Sequence, residues 1–234
     1  YRRSYAMAIE RLAREATGGV RENPGISVKL SALYPRYDFL HAEAARAALV
    51  SMVRELALAA SRADIHFTID AEEAELLELS LDVIEALAAD DALFADGWQG
   101  FGLALQAYQK RAVPLCDWTI ALARRLGRRF LVRLVKGAYW DSEIKLSQGG
   151  GYPDYPVFTR KVATDVSYLA CAGKLLAAPD AIYPAFATHN AYTIGAVKAL
   201  AASGETAGRQ EAFEFQRLHG MGEDVYDVLA EEEG

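Results

Sequence analysis

Residues 130–141 read Phe-Leu-Val-Arg-Leu-Val-Lys-Gly-Ala-Tyr-Trp-Asp, and this stretch decides the fold. Its first part, Phe130–Val135, is apolar except for one arginine, and a Lys-Gly pair follows. A short run of this kind that ends near glycine is typical of a buried strand. Arg133 lies inside the run, where a charge costs free energy unless it is paired or bound to a ligand. The stretch therefore predicts a buried strand that carries a functional side chain near its carboxyl end.

Similar apolar runs, each followed by a longer amphipathic stretch, recur along the chain. The other predicted strands are Ile26–Leu30, Ile65–Ile69, Phe101–Leu105, Ile182–Ala187 and Ala212–Phe215. The predicted helices are Arg3–Ala16, Ala42–Ser61, Glu73–Ala89, Lys110–Leu126, Phe158–Ala177, Ala191–Ala202 and Glu223–Glu232. Strands that alternate with helices run parallel, because each helix carries the chain back along the sheet. The sequence is therefore predicted to be an α/β protein.

This rhythm favours a (βα)8 TIM-like barrel that is incomplete within the sequence. A closed barrel needs eight strands and eight helices, whereas the pattern gives six strands and seven helices. We expect the first strand and the last strand–helix unit to lie outside residues 1–234, which then form one partial barrel domain. An open doubly wound sheet is the alternative, but no Gly-rich phosphate loop follows the first predicted strand.

Composition narrows the function classes. The chain has 234 residues, of which 52% are hydrophobic, as in globular proteins. Its longest apolar runs, such as Ile182–Ala187, are far shorter than the about 20 residues that span a bilayer. A net charge of −7 argues against nucleic-acid binding but leaves an anionic ligand open. The two cysteines, Cys116 and Cys171, match neither a zinc spacing nor a disulfide framework, which favours a reducing cytoplasm.

Polar side chains recur at the carboxyl ends of the predicted strands. They are Lys29, Asp70, Gln106, Arg133 with Lys136, Thr188 with His189 and Asn190, and Gln216 with Arg217 and His219. Enzymes with this fold build their active sites at this face of the barrel. We therefore predict one shared site to which consecutive strands contribute.

Several of these residues also have a structural interpretation. Lys29 could be a surface lysine, and His189 could be a hydrogen-bonded core residue. Asp70 precedes Ala-Glu-Glu and could cap the next helix. Arg133 could form an ion pair with a buried acid, for example Asp70. His219, which precedes Gly-Met-Gly, could shape a turn.

Five segments carry a resemblance to a known family. They are Pro24–Leu33 (PGISVKLSAL), Arg133–Asp141 (RLVKGAYWD), Phe158–Lys161 (FTRK), Ala187–Asn190 (ATHN) and Phe215–Gly222 (FQRLHGMG). Through them, nearly the whole chain resembles the proline dehydrogenase family. The resemblance implies a distorted (βα)8 barrel that binds FAD non-covalently. It also implies oxidation of L-proline to Δ1-pyrroline-5-carboxylate by hydride transfer to flavin N5, with electrons passed on to a quinone.

The resemblance assigns roles to residues, position by position. It implies a catalytic set of Arg133, Lys29, Asp70 and Tyr139, with Arg133 against the flavin N5 region and Lys29 facing the proline carboxylate. The residues implied for substrate binding are Lys29, Asp70, Ala138, Tyr139 and Leu218. Those implied for FAD binding are Gln106, Arg133, Val135, Lys136, Gly137, Ala138, Trp140, Thr159, Thr188, His189, Asn190 and Gln216. No metal site is implied.

The likeness is strongest to bifunctional bacterial proline-utilisation flavoenzymes. These join the domain to a pyrroline-5-carboxylate/glutamate semialdehyde dehydrogenase module, which the resemblance implies as a partner in a longer protein. It also implies action in the cytoplasm with peripheral contact at the inner face of the membrane. The family's first-strand motif, and its final unit with a tyrosine and an Arg-Arg pair for the proline carboxylate, are absent from this sequence. No dedicated base for the proline nitrogen is evident.

Three other functions remain open on the residues alone. A metal-dependent barrel hydrolase would use His189 and His219 as ligands, with further ligands on the missing first strand. A Schiff-base aldolase would use Lys136 as its nucleophile. A non-catalytic barrel would only bind a partner. Bound flavin, a trapped Schiff base or a bound metal would separate these functions.

Overall fold

The computed structural model describes residues 1–204 and 212–233, and within them six strands form one sheet. The strands are Gly25–Val28 (β1), His66–Ile69 (β2), Phe101–Gln106 (β3), Phe130–Val135 (β4), Ile182–Ala187 (β5) and Glu214–Gln216 (β6). They lie side by side in sequence order, and every neighbouring pair is parallel. The sheet is curled into part of a TIM-like barrel, so the predicted fold class is confirmed.

Helices connect successive strands and pack against the sheet. In the described residues they are Arg2–Glu15 (α1), Leu30–Leu33 (α2), Ala42–Arg62 (α3), Leu77–Ala88 (α4), Ala112–Leu126 (α5), Trp140–Gly149 (α6), Lys161–Leu176 (α7), Ala191–Ser203 (α8) and Glu223–Glu233 (α9). Short 3-10 turns lie at Phe39–His41, Ala74–Leu76 and Asp91–Leu93. In the part of the chain that the structure describes, no helix combines the length and apolar character needed to cross a membrane.

The core lies between the sheet and the helices. In α3, buried residues such as Ala45, Leu49 and Val53 recur every four positions, so one face of the helix is apolar. Phe130 of β4 packs edge-on against Phe101 of β3, with 5.8 Å between ring centroids. Because a parallel sheet of this kind is buried on both faces, its strands read as continuous apolar runs.

Several predicted boundaries are wrong. The first strand ends at Val28 and not at Leu30, and α4 begins at Leu77 and not at Glu73. The sequence predicts the last strand at Ala212–Phe215, but β6 spans Glu214–Gln216, since Ala185 of β5 pairs with Glu214. The sequence also predicts a helix over Phe158–Ala177, but α7 begins at Lys161. The residues before α7 pair instead with the segment before α5: Val157 and Gln109 form an isolated antiparallel bridge, and the Phe158 amide donates to the carbonyl of Tyr108 at 2.8 Å.

The helix α6 is absent from the sequence prediction. Its buried residues are Glu143 and Ser147, so the face turned towards the protein is polar. A prediction that looks for periodic apolar residues therefore misses it. Asp141 and Glu143 in its first turn were the available signal, because acidic residues favour a helix amino terminus.

Candidate active site

A cavity of about 640 Å³ opens at the carboxyl ends of the strands. All the predicted site residues line it except Trp140, Thr159 and His219. The predicted residues that line it are Lys29, Asp70, Gln106, Arg133, Val135, Lys136, Gly137, Ala138, Tyr139, Thr188, His189, Asn190, Gln216 and Leu218. Arg217, Lys161 and several alanines complete the wall. The structure thus brings the polar strand ends together at one face, as a barrel active site requires.

Arg133 reaches across the cavity floor. Its neighbours in the sheet register are Ala104 on β3 and Ala185 on β5, so small side chains flank it on both sides. Its Nη2 donates to Asp70 Oδ1 at 2.9 Å and to Ser27 Oγ at 2.6 Å. One guanidinium nitrogen therefore connects strand β4 with the ends of β1 and β2.

Asp70 is the partner of this cation and is not a helix cap. It lies directly after β2, where its backbone amide donates to the carbonyl of Val28 at 2.9 Å. Burial raises the pKa of its carboxyl, and the positive charges of Arg133 and Lys29 only partly oppose that rise. The interpretation of Asp70 as a cap of the next helix is wrong, because the 3-10 turn that follows is preceded by Glu73 and carries no side-chain cap.

Lys29 and Tyr139 meet in the wall of the cavity. Lys29 Nζ donates to the Tyr139 hydroxyl at 3.0 Å, and it lies 5.6 Å from the centre of the tyrosine ring. The hydrogen bond that Lys29 donates to Tyr139 raises the pKa of Lys29, against a smaller opposing effect of burial. The pair presents an ammonium group and a hydroxyl side by side, which suits a carboxylate ligand.

The turn after β4 places a second lysine at the cavity. Lys136 Nζ lies 2.5 Å from Asp165 Oδ1 and 3.4 Å from Thr193 Oγ1. Burial opposes ionisation of Asp165, but hydrogen bonds from Lys136 and Lys161 outweigh it and lower the pKa of that carboxyl. Lys136 thus stands as a fixed positive group beside the turn at Gly137.

Gly137 makes that turn sterically feasible. Its φ is +138°, and a Cβ built there would lie 2.4 Å from the Tyr108 ring. Only glycine fits this backbone conformation without moving the buried tyrosine. Because the chain turns so tightly, Lys136 and Ala138 both reach the cavity.

Gln106 contributes a fixed amide at the end of β3. Its side chain is 3% exposed. Its Nε2 donates to the carbonyl of Ala71 at 3.3 Å, while its Oε1 accepts from Gln109 Nε2 at 2.7 Å. The two contacts fix the direction in which the amide faces the cavity.

The ends of β5 and β6 form the remaining wall. His189 Nε2 accepts the Leu218 amide at 2.9 Å, and the Asn190 side chain accepts the Thr193 amide at 2.9 Å as the cap of α8. Tyr226 of α9 donates to the carbonyls of both Thr188 and Gln216 at 2.8 Å. Thr188, His189, Asn190 and Gln216 therefore have structural partners and also border the cavity.

Trp140 and Thr159 lie outside the cavity wall. Trp140 begins α6, is 42% exposed and donates from Nε1 to the carbonyl of Phe158 at 3.0 Å. Thr159 lies exposed in the segment before α7. Their predicted contact with a cofactor has no counterpart in this cavity wall.

Sequence reasoning missed Ser27, Asp165 and Tyr226. Ser27 lies within the motif Ile-Ser-Val-Lys, so a polar residue in an apolar strand was the available signal. Asp165 and Tyr226 lie within helices α7 and α9, where a polar residue reads as ordinary surface. Their role depends on the neighbouring strand ends and is visible only in three dimensions.

A profile of the proline dehydrogenase family matches residues 1–234. The chain belongs to the proline dehydrogenase family. Among curated relatives in this family, the bifunctional protein PutA of Klebsiella aerogenes is 51% identical over 230 residues, which are 98% of this chain and 17% of that protein. The bifunctional protein PutA of Rhizobium meliloti is 49% identical over 236 residues and is covered to 18%. The chain thus spans less than a fifth of the length of these relatives.

Solved structures of proline utilization A agree with the family assignment. A variant of the protein from Bradyrhizobium japonicum is 52% identical, with a TM-score of 0.93 over 99% of this chain and 23% of that one. The protein from Bdellovibrio bacteriovorus, inactivated by N-propargylglycine, is 28% identical, with a TM-score of 0.91 over 100% of this chain and 25% of that one. The proline dehydrogenase domain therefore keeps its barrel geometry at low sequence identity.

Two residues that the alternative chemistries would use, His189 and Lys136, are engaged by other groups of the protein. Within residues 1–204 and 212–233, no three His, Cys, Asp or Glu side chains are grouped as metal ligands would be. His189 instead accepts a backbone hydrogen bond from Leu218. The side chain of Lys136 is likewise held by Asp165 and Thr193.

Proposed function

We propose that this domain oxidises L-proline to Δ1-pyrroline-5-carboxylate, with FAD as the hydride acceptor. Membership of the proline dehydrogenase family supports the reaction. The observation that carries the proposal is the guanidinium of Arg133, fixed on the cavity floor by Asp70 and Ser27. A fixed cation at this place can stabilise charge that develops on a neighbouring ring without reorganising.

The residues present fit a flavin dinucleotide. Ala71, Ala104, Ala138 and Ala187 leave apolar wall for a flat ring, and Gln106 supplies an oriented amide at its edge. Further along the cavity, Lys136 supplies a cation beside a turn of exposed backbone, which suits a diphosphate. When bound, the flavin would supply the hydride-accepting atom N5. The site runs on to the ends of β5 and β6, so it has room for more than a mononucleotide.

The residues of this chain bind and orient the substrate. Lys29 and the Tyr139 hydroxyl offer two donors to the proline carboxylate. Asp70 and Leu218 border the same part of the cavity and would enclose the ring. Asp70 also holds Arg133 in place. The same carboxylate would therefore border the substrate and orient the residue that faces the flavin. Positioning of this kind can contribute a large part of the rate enhancement.

The wider reaction sequence is proposed from the relatives. Curated relatives are named bifunctional, and this chain spans 17% of the first of them. We place the second activity, a pyrroline-5-carboxylate/glutamate semialdehyde dehydrogenase, in another part of a longer protein. We further propose that a quinone receives the electrons and that the protein meets it at the inner face of the membrane, from the cytoplasm.

Spectroscopy and a dye-linked assay test the function. The purified intact protein should be yellow, and acid release should yield FAD. L-Proline should bleach the flavin and reduce an artificial dye. Release of FMN instead would contradict the dinucleotide assignment. A colourless protein that binds a metal stoichiometrically, or one that borohydride traps with its substrate, would overturn the proposed function.

A further inference from the structure

The segment Asp70–Ala74 carries two residues of the cavity and has no regular secondary structure over its first four residues. Asp70 holds Arg133, and Ala71 forms part of the wall. The carbonyl of Ala71 accepts from Gln106 at 3.3 Å. The Asp70 amide is held by the carbonyl of Val28 on β1. Residues 71–73 have no helix or sheet ladder to fix them, so their position depends on side-chain contacts.

Glu143 supplies the most buried of these contacts. It lies in the first turn of α6, is 3% exposed, and its Oε1 accepts the amide of Ala74 at 2.6 Å. Arg111, the residue before α5, donates from Nη2 to the carbonyl of Ala74 at 2.6 Å. Ala74 itself is 1% exposed. Both polar groups of Ala74 are therefore held by side chains from two other elements.

Burying a carboxylate at this contact costs free energy. Burial raises the pKa of Glu143, and the nearby acids Glu73 and Glu75 add to that rise, while the Ala74 amide and Arg111 oppose it. Tyr108, buried before α5, is a further titratable neighbour. A buried carboxylate is retained at a cost that an apolar residue of the same size avoids. The amide of Ala74 needs an acceptor, and the carboxylate provides one.

The position of Glu143 in the chain links two parts of the site. It follows Tyr139 by one helical turn, and Glu143 donates its own amide to the carbonyl of Tyr139 at 3.0 Å. The same residue thus extends the turn that carries Tyr139 and holds the segment that carries Asp70. A shift of α6 would move both of these groups relative to Arg133.

We propose that Glu143 is a positioning residue for this reaction, which holds the segment Asp70–Ala74 so that Asp70 meets Arg133. The inference rests on the proposed function, because the effect of changing Glu143 is measured as a change in proline oxidation. Glu143 is not part of the cavity wall, and it acts through the amide of Ala74.

The test compares variants in the intact holoenzyme. Glu143→Leu removes the acceptor, and it should lower kcat/KM for proline roughly 10- to 100-fold, as small displacements of catalytic groups do. Glu143→Gln keeps an oxygen at the same position and should restore most of the activity. Glu75→Gln removes an exposed acid from the same region and should leave activity unchanged. Flavin content and melting temperature are measured for each variant.

A double-mutant cycle separates positioning from general stability. If Glu143 acts through Asp70, then Glu143→Leu combined with Asp70→Asn should be about as slow as Asp70→Asn alone. Independent, multiplicative losses would overturn the proposal. So would a Glu143→Leu enzyme that folds and keeps kcat/KM within twofold of the wild type.

A second variant approaches the contact from its other side. Ala74→Pro removes the donor, and the backbone of Glu73, with φ −61° and ψ 148°, is the conformation that a residue before proline prefers. If Glu143→Leu fails to fold, Ala74→Pro should show the same loss of kcat/KM, and normal turnover would overturn the proposal.

Hydrogen exchange of the Ala74 amide tests the hydrogen bond to Glu143 without measuring enzyme activity. Slow exchange in an enzyme that does not oxidise proline would reject the proposed function but keep the contact, whereas fast exchange in the wild type would reject the contact itself.

Discussion

Arg133 Nη2 lies 2.9 Å from Asp70 Oδ1, and this ion pair crosses the sheet from β4 to the end of β2. Ala104 lies between them on β3, and its small side chain leaves room for the guanidinium to pass. Both side chains are mostly shielded, at 22% and 24% exposed. The pair therefore links two strands of the sheet and also lines the cavity.

Replacing Arg133 with methionine tests which of these roles dominates. The variant keeps much of the apolar stem but loses the charge and its donors. We expect proline:dye turnover to fall roughly 100- to 1000-fold, or about 2.7–4 kcal/mol, as for other groups that stabilise developing charge. The midpoint potential of the flavin should fall as well, since the reduced, anionic form loses a cation.

The matched control is Arg124→Met, on the exposed side of α5. Arg124 forms a two-pronged ion pair with Asp180 at 2.8 and 2.9 Å, far from the cavity wall. The Arg124→Met variant should therefore leave turnover unchanged. An Arg133→Met enzyme that melts early, yet turns over normally once folded with its flavin, would show that Arg133 is only structural.

Tyr139→Phe removes the hydroxyl that orients Lys29. The ammonium group then has one fixed partner fewer, and the pKa of Lys29 should fall back towards its ordinary value of 10.5. We expect KM for proline to rise roughly tenfold or less, about 1 kcal/mol, with a smaller change in kcat. Steady-state kinetics check this, with the exposed Tyr152→Phe as control. A fall in kcat at unchanged KM would contradict a role in ground-state binding.

Two glycine substitutions should have opposite effects on stability. Gly137→Ala forces φ +138° on an alanine and brings its Cβ to 2.4 Å from Tyr108, so we expect a loss of about 1–3 kcal/mol or more. Gly195→Ala lies in the exposed middle of α8 with no atom within 4 Å, and should gain about 0.5–1 kcal/mol. Chemical denaturation measures both, and equal effects would contradict the argument.

The pKa of Glu143 predicts how stability changes with pH. Because burial raises this pKa above 4.5, the folded protein binds this proton more tightly than the unfolded chain does. The free energy of unfolding should therefore decrease as the pH rises from 4.5 through the pKa of Glu143 in the folded protein. The decrease ends once this carboxyl is ionised in both the folded and the unfolded state. Glu143→Gln removes that loss, so the variant should gain stability relative to the wild type between acidic and neutral pH. Melting temperatures across this range check it, and a difference independent of pH would refute the assignment.

The sequence predicts the sheet and much of the cavity because both depend on local patterns. Each buried strand is a short apolar run, and each polar residue at its end stands out against that run. Lys29, Asp70 and Arg133 were found in this way and lie together at one face of the barrel. The partner of Arg133 was also named, since a buried cation needs an acid nearby.

What the sequence does not reveal depends on contacts between distant residues. The helix α6 escaped notice because its buried face carries Glu143 and Ser147 instead of apolar side chains. Ser27 and Asp165 join the site only because the sheet and α7 bring them within hydrogen-bonding distance of Arg133 and Lys136. The two residues of the Ser27–Arg133 pair are 106 positions apart along the chain, and those of the Lys136–Asp165 pair are 29 positions apart.

The sequential order of the strands has a consequence for synthesis on the ribosome. Each strand pairs with the one made just before it, so the sheet can grow from its amino-terminal edge as the chain emerges. Asp70 will then have been translated 63 residues before its cation, Arg133, appears. We expect nascent chains that stop short of β4 to leave the Asp70 carboxyl without its guanidinium partner, and the arrival of Arg133 to supply the cation that pairs with it at this face of the barrel.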